Sequence, residues 1–202
     1  MIIPPEVDEL APTTAAVESD WCSLEPEAKR ERLLTAAAEV FAREGLDAPM
    51  PAVAAAAGAG VASVYRQFPS KHALLAALVA RRFEQAAQAA QQAALRDGDR
   101  WSALTEMLHA LVERLWADDF LGEARIAVAD HPDVIEAAAH AATAIEALLC
   151  DARAEGRLRA DATTLDLRLV FAATRAAKRV EPEAWPRMLE LMIDALDSHR
   201  RA

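Results

Sequence analysis

The sequence predicts an all-α protein, and its composition carries most of that prediction. The chain has 202 residues, of which 50 are Ala and only 6 are Gly. Ala is the strongest helix former, whereas Gly is the weakest residue apart from Pro. Hydrophobic residues make up 53 % of the chain, which is enough for a sizeable core. We exclude a β-sandwich, which would need more Gly-rich turns and β-branched runs, and also collagen and disulfide scaffolds.

Pro, Gly and apolar residues at helical spacing place each helix in turn. Gly45 is expected to end the first helix in a left-handed conformation, Ser70 to cap the fourth, and Asp161 or Thr164 to cap the eighth. Residues 1–23 contain three Pro, five acidic residues and no Lys or Arg, so we expect a flexible acidic tail there. The predicted helices cover residues 26–44, 51–57, 61–68, 71–95, 101–116, 120–129, 132–155, 164–180 and 182–200.

Charge is distributed unevenly along the chain. The net charge is -10, but residues 24–83 carry eight Lys or Arg and six Asp or Glu, a local net charge of +2. Residues 1–23 contribute -5 and residues 84–202 contribute -7. Only the segment 24–83 is therefore suited to an anionic partner such as DNA.

The spacing of the two cysteines, and the absence of long uncharged apolar segments, predict a location in the cytoplasm. Cys22 and Cys150 form no CxxC pair, which favours free thiols in a reducing environment. Residues 1–23 lack the basic start and apolar run of a signal peptide. Every long Ala-rich window is interrupted by Arg, Glu or Gln, so we expect a cytoplasmic protein without a membrane span.

Residues 51–68 carry the functional signal. Two short predicted helices are separated by the turn Gly58-Ala59-Gly60, which is typical of a helix-turn-helix unit. In such a unit the second helix enters the major groove of DNA and the first crosses the backbone. The small residues Ala54 and Ala57 would let the two helices approach closely.

A longer set of motifs surrounds this unit: Leu33-Leu34-Thr35-Ala36-Ala37, Val40-Phe41-Ala42-Arg43-Glu44-Gly45, Val53-Ala54, Ala57-Gly58, Val64-Tyr65-Arg66-Gln67-Phe68-Pro69-Ser70-Lys71 and Ala73-Leu74-Leu75. With these motifs, residues 32–78 resemble the N-terminal domain of the TetR family of transcriptional repressors. Met50 and Pro51 stand where the family often has Thr or Ser, which removes a hydroxyl N-cap and a phosphate contact. Val61 and Ala62 are apolar, so direct base readout is expected to depend on methyl contacts and on Arg66 and Gln67.

The resemblance implies a homodimer that binds a palindromic double-stranded DNA operator and releases it when a small-molecule effector binds. It implies a DNA-binding domain at residues 24–70 and a ligand-binding and dimerisation domain at residues 71–202. Arg and Gln suit bidentate contacts to bases, and Ser, Tyr and Lys suit phosphates. The DNA-contacting residues that it implies are Val61, Ala62, Ser63, Tyr65, Arg66, Gln67 and Lys71.

Aromatic residues and cations near the predicted recognition helix allow two interpretations each. Tyr65 could instead pack in the core against Phe41, whereas we expect Phe68 to be core. Lys29, Arg30 and Arg32 could reach phosphates or form a solvated face with interleaved Glu residues.

An aromatic and Met-rich region around the fifth helix is either plain core or the wall of an effector pocket, since pockets are mostly apolar with a few polar anchors. Arg125 lies in an otherwise apolar helix and hints at an anionic or polar effector. His131 is a further candidate anchor. The predicted effector-binding residues are Trp101, Met107, His109, Trp116, Phe120 and Arg125.

Apolar stripes on the last two helices predict a dimer interface in which both helices pack against a second subunit as a four-helix bundle. The alternative is burial within one chain. The predicted interface residues are Leu169, Ala173, Ala176, Trp185, Met188, Leu189, Met192 and Leu196.

Together these features predict a DNA-binding transcriptional regulator, most simply a repressor. The rival interpretation is a helical small-molecule-binding or dimeric interaction protein without specific operator binding. An enzyme is not expected, because the sequence has no nucleophile motif and no phosphate-cradling Gly loop. His109, His131 and His140 lack metal-pair spacing, so we expect neither a metal nor a cofactor.

Overall fold

The computed structural model describes residues 21–117 and 120–201 and confirms the all-α prediction. In the described residues the only β-type pairing outside helices is an isolated bridge between Leu158 and Asp197. A 3-10 helix follows at Ser198–Arg201. The α-helices are α1 (Pro26–Glu44), α2 (Met50–Ala57), α3 (Val61–Gln67), α4 (Lys71–Leu95), α5 (Arg100–Ala117), α6 (Leu121–Ala127), α7 (Pro132–Ala154), α8 (Thr164–Val180) and α9 (Trp185–Leu196).

Two helix caps differ from the prediction. Gly45 has a positive φ of 80° but an extended ψ of 174°, so it ends α1 without a left-handed helical turn. The N-cap of α8 is Thr163, because the Asp166 carboxylate accepts its backbone N–H at 2.8 Å and its hydroxyl at 2.9 Å. Neither Asp161 nor Thr164 takes that place.

The last α-helix is shorter at both ends than predicted. Pro182 lies in a turn closed by the Ala184 N–H and the Glu181 carbonyl at 3.0 Å, so α9 begins only at Trp185. After Leu196 the chain pairs with the segment before α8: Arg159 N–H donates to the Leu196 carbonyl at 3.0 Å. This pairing draws residue 197 out of helical conformation and stops α9 short of residue 200.

The chain divides into two compact units, Met1–Leu74 and Leu75–Ala202. The division falls four residues after the predicted boundary, and α4 continues across it. The predicted tail at residues 1–23 lies outside the described residues up to residue 20. Residues 21–23 are helical and Trp21 is buried, so the folded part begins earlier than predicted.

Each unit has its own core. In the first unit, α1 supplies Leu33, Val40 and Phe41, and these are buried together with Val53 of α2 and Val64 of α3. The core of the second unit draws on α5, α7, α8 and α9, with large buried residues Leu104, Leu108, Leu148, Leu149, Val170, Leu189 and Ile193. No helix in the described part of the chain has both the length and the hydropathy of a membrane span.

Candidate nucleic-acid interface

A tight turn joins α2 to α3, and its glycine is required by backbone conformation. Gly58 has φ 65° and ψ 33°, the left-handed region that side chains with a Cβ rarely adopt. The N–H of Ala59 donates to the Ala54 carbonyl at 2.9 Å, which closes the end of α2. Ala54 and Ala57 are each only 1 % exposed, so α2 packs through its smallest side chains.

The recognition helix α3 has a buried side and an exposed side. Val64 is fully buried and Phe68, just past the helix, is 2 % exposed, as expected of core residues. Tyr65 is 46 % exposed, so it does not pack in the core. Val61, Ala62 and Arg66 are exposed beside it, while Ser63 and Gln67 are half-buried.

Cations on this unit are held by identifiable contacts. The Arg66 guanidinium donates to the Ser63 hydroxyl at 2.8 Å along the exposed side of α3. The Lys71 ammonium lies 5.7 Å from the ring centre of Phe41, and the Arg30 guanidinium lies 4.8 Å from that of Phe68. Ser70 accepts the Ala73 N–H at 3.1 Å, which confirms it as the cap of α4.

These contacts leave hydrogen-bond donors available for DNA. A guanidinium stacked on an aromatic ring keeps its in-plane N–H groups, which match phosphate oxygens in geometry. The first unit therefore combines an exposed recognition helix with cations positioned by buried aromatic rings.

The predicted effector-binding residues whose side chains the structure describes lie in different surroundings. Trp101 and Met107 belong to the core of the second unit, and Phe120 is buried as well. Arg125 is exposed on α6. His109 forms an ion-pair contact of 3.2 Å with Glu190 of α9. The side chain of Trp116 lies outside the described residues.

Sequence reasoning missed an open groove of about 760 Å³ between α4 and α5, of whose lining the prediction contained only Met107. Gln85, Gln88 and Gln92 of α4 form one wall. The signal was present in the sequence, because polar residues at i, i+3 and i+7 of an Ala-rich helix share one face.

The predicted dimer interface needs a correction. Leu189 is fully buried and Leu196 is 4 % exposed, so both belong to the core of their own chain and cannot face a partner. Met192 packs partly against the same core. Leu169 is 52 % exposed, Ala176 is exposed, and Ala173, Trp185 and Met188 are half-buried.

The exposed apolar residues of α8 form a longer stripe than predicted, which we call the α8 stripe: Leu165, Leu169, Ala172, Ala176 and Val180. Leu165 and Val180 are 57 % and 88 % exposed. A contiguous apolar face of this kind on a folded domain marks an interaction site.

His131 and His140, candidate metal ligands by residue type, make local contacts instead. The His131 ring accepts the Asp133 N–H at 3.3 Å and caps α7, and His140 lies 2.9 Å from the Glu84 carboxylate. Cys22 and Cys150 are both exposed and free. Among the described residues, no three His, Cys, Asp or Glu side chains come together as a metal site.

Comparison with known proteins gives a family-model match for the helix-turn-helix region. Residues 33–78 match the sequence model described as bacterial regulatory proteins, tetR family. A search of curated protein sequences gave no significant match.

Solved structures extend the similarity to most of the chain. A TetR transcriptional regulator from Streptomyces coelicolor is 26 % identical with a TM-score of 0.66, over 83 % of this chain and 98 % of its own. A TetR regulatory protein from Mycobacterium vanbaalenii is 27 % identical with a TM-score of 0.61, over 90 % and 99 %. SmeT, the repressor of a multidrug efflux pump of Stenotrophomonas maltophilia, is 25 % identical with a TM-score of 0.59, over 83 % and 87 %. The helix-turn-helix unit, the match of residues 33–78 and the similarity in fold to solved TetR regulators together indicate a DNA-binding transcriptional regulator that resembles the TetR family.

Proposed function

We propose that the protein is a homodimeric repressor that binds a palindromic operator through α3 and leaves it when a small molecule binds the second unit. The observation that carries the proposal is the division of α3 into a buried side, anchored by Val64, and an exposed side bearing Tyr65 and Arg66. A helix held in this way can enter the major groove without disturbing the core beneath it.

Each predicted contact has a chemical role in this proposal. Arg66 and Gln67 read base edges, and Tyr65 and Lys71 bind phosphates. Ser63 accepts a hydrogen bond from Arg66 in the free protein. Val61 and Ala62 contribute apolar contacts, for which the methyl group of thymine is the natural partner.

A second subunit is needed because one recognition helix covers one half-site. The α8 stripe supplies an exposed apolar surface for that association. In the dimer the two recognition helices must lie about 34–36 Å apart to meet successive major grooves. An effector that favours a different spacing lowers operator affinity by shifting the population of the two states.

The test is a binding titration with the DNA upstream of the protein's own gene, after footprinting has located the protected site. Arg66→Ala should weaken binding by about 1–3 kcal/mol and relax the preference at one base pair. Lys71→Ala should weaken binding to all sequences and lower the slope of log K against log salt by about one.

The matched control is Arg43→Ala. Arg43 lies in the last turn of α1 and not on α3. It pairs with Glu44 at 2.7 Å and carries the same charge as Arg66. Arg43→Ala should bind the footprinted site with the affinity of wild type. If Arg66→Ala and Lys71→Ala do so as well, α3 is not the recognition helix. If wild type protects no site and binds only in a salt-labile way, the rival interpretation without specific operator binding is correct.

A further inference from the structure

We infer that the groove between α4 and α5 binds an elongated organic anion, with its carboxylate at the Arg114 end. This inference rests on the proposed function, because it names the chemical class of the effector. The groove has a volume of about 760 Å³, which falls in the range of small-molecule sites. All of its lining residues belong to the second unit.

The floor of the groove is apolar and built from small side chains. Ala93 and Ala103 are buried on facing helices, and their short side chains give the groove its depth. Met107 and Leu111 extend the floor along α5. From Ala103 to Arg114 the groove follows α5 for about 16 Å, at 1.5 Å per residue. An elongated molecule is therefore the shape that fits.

One wall is neutral but rich in hydrogen-bonding groups. Gln85, Gln88 and Gln92 line it from α4, and each primary amide both donates and accepts. Gln85 accepts a hydrogen bond from the Arg82 guanidinium at 3.3 Å, and Gln88 and Gln92 are exposed. A purely hydrocarbon ligand would cover the two exposed amides without pairing with them. A ligand with an amide or hydroxyl group in its body would pair with them.

The two ends of the groove differ in charge. At one end Arg96 forms an ion pair with Glu106, so its charge is balanced within the site. At the other end stands Arg114, whose carbonyl accepts a hydrogen bond from the Arg82 guanidinium. The Arg82 side chain therefore reaches the end of the groove at which Arg114 lies. A carboxylate is the partner that a guanidinium binds most strongly.

One helix that lines the groove also belongs to the DNA-binding unit. The helix that carries the three Gln side chains is α4, which begins at Lys71 within the first unit and is continuous to Leu95. A ligand that draws α4 against α5 thus acts on the same helix that carries a proposed phosphate contact.

The test uses N-octanoylglycine, which has a carboxylate, an amide and an apolar chain, and its uncharged methyl ester as the comparison ligand. Calorimetric titration of the full chain should show binding of the acid and at least about tenfold weaker binding of the ester. Arg114→Gln should weaken binding of the acid by about tenfold or more and leave binding of the ester unchanged. Ala110→Trp, which fills the groove, should abolish binding of both.

Arg187→Gln is the matched control, because Arg187 is an exposed arginine of the same unit that does not line the groove. Equal binding of acid and ester, or loss of binding in Arg187→Gln but not in Arg114→Gln, overturns the inference. Operator release by the acid is measured separately. If the protein binds its operator but not the acid, the groove assignment fails and the proposed function stands; if it binds the acid but no DNA, the proposed function fails.

Discussion

Two helices of this protein, α3 and α8, expose a large part of their surface, and they do so with opposite chemistry. On α3 the exposed side includes Tyr65 and Arg66, which offer hydrogen-bond donors and positive charge. On α8 the exposed stripe is apolar, with Leu165 and Leu169 each more than half exposed. An exposed polar face costs a folded domain little, whereas an exposed row of large apolar residues is favourable only when something covers it.

The difference in chemistry supports the two proposed partners, DNA for α3 and a second copy of the chain for α8. DNA offers phosphates and base edges, so its binding surface must carry donors and charge. A second copy of the chain offers the same apolar stripe, so burial of apolar area drives that association. The following predictions test whether the two surfaces are separate, starting with the largest expected effect.

Leu169→Glu should abolish the dimer. Two unpaired carboxylates would be buried across the two-fold axis, at a combined cost of about 6 kcal/mol or more. The monomer should stay folded, because Leu169 is 52 % exposed in the single chain. Sedimentation velocity at micromolar concentration gives the oligomeric state, and circular dichroism gives the fold.

Leu95→Glu is the control for that experiment, since Leu95 is 84 % exposed and lies outside α8. It should remain dimeric and bind the operator like wild type. A Leu169→Glu protein that sediments as a dimer would remove the α8 stripe from the interface.

Phe68→Ala should destabilise the first unit by about 3–5 kcal/mol, as expected when a large buried aromatic side chain is removed. Operator binding should be lost with it, because Phe68 both anchors the end of α3 and supports Arg30. Dimerisation should be unaffected if the two surfaces are separate. Thermal unfolding, sedimentation and DNA titration measure the three effects.

Tyr65→Ala provides the comparison, because it truncates an aromatic residue on the exposed side of α3: Tyr65 is 46 % exposed. Its stability should stay within about 0.5 kcal/mol of wild type, while DNA binding weakens. Equal destabilisation by the two substitutions would show that α3 is not divided into a buried and an exposed side.

Gly122→Ala tests the inner side of α8. A Cβ at Gly122 would lie 1.5 Å from one terminal nitrogen of the Arg175 guanidinium, so that group must move. We expect a net loss of about 1 kcal/mol, because displacing a partly buried guanidinium outweighs the gain in helix propensity. In an Arg175→Ala background the same substitution should stabilise by about 1 kcal/mol. Chemical denaturation of the four proteins would show the change of sign, and its absence would contradict this account.

Asp99→Ala should have the smallest effect, and that effect should depend on pH. The Asp99 carboxylate accepts the Ser102 N–H and hydroxyl, each at 2.8 Å, and the backbone hydrogen bond is the main cause that lowers the pKa of Asp99. The pKa of Asp99 in the folded state lies below its unfolded value. The hydrogen bonds to Ser102 therefore stabilise the fold at pH values above the ordinary Asp pKa of about 3.9. This stabilisation is lost as the pH falls through the lowered pKa.

The difference in Tm between wild type and Asp99→Ala should therefore be present at neutral pH and shrink in acid. Asp97→Ala, which removes an exposed carboxylate two residues earlier, should show a smaller difference at neutral pH. A difference between wild type and Asp99→Ala that does not change with pH would exclude the carboxylate as its source.

Helix positions could be predicted from sequence because their ends depend on nearby residues. Pro26 and Pro132 open helices as expected, and the left-handed Gly58 closes α2. The two predicted caps of α8, Asp161 and Thr164, lie two residues before and one residue after the observed cap, although Thr163 followed by Asp166 is the spacing of a capping box.

The candidate surfaces were harder to predict, since helical spacing shows which residues share a face but not what covers that face. Leu189 and Leu169 both have helical neighbours of the same kind, yet one is fully buried in its own chain and the other is exposed. Likewise Trp101 matched the composition of a pocket wall but lies in the core. The groove along α4 depends on two helices lying side by side, which one helix's sequence does not reveal.

The division of α3 into two sides has a consequence for how the protein can change over generations. Because Val61, Ala62, Tyr65 and Arg66 are exposed, replacing them should alter stability by no more than about 0.5 kcal/mol each. Mutations there can accumulate without being removed for misfolding, so operator preference is free to drift while the scaffold stays constant. The same property makes these four positions suited to a randomised library, in which nearly every member would fold and selection would act on DNA sequence alone.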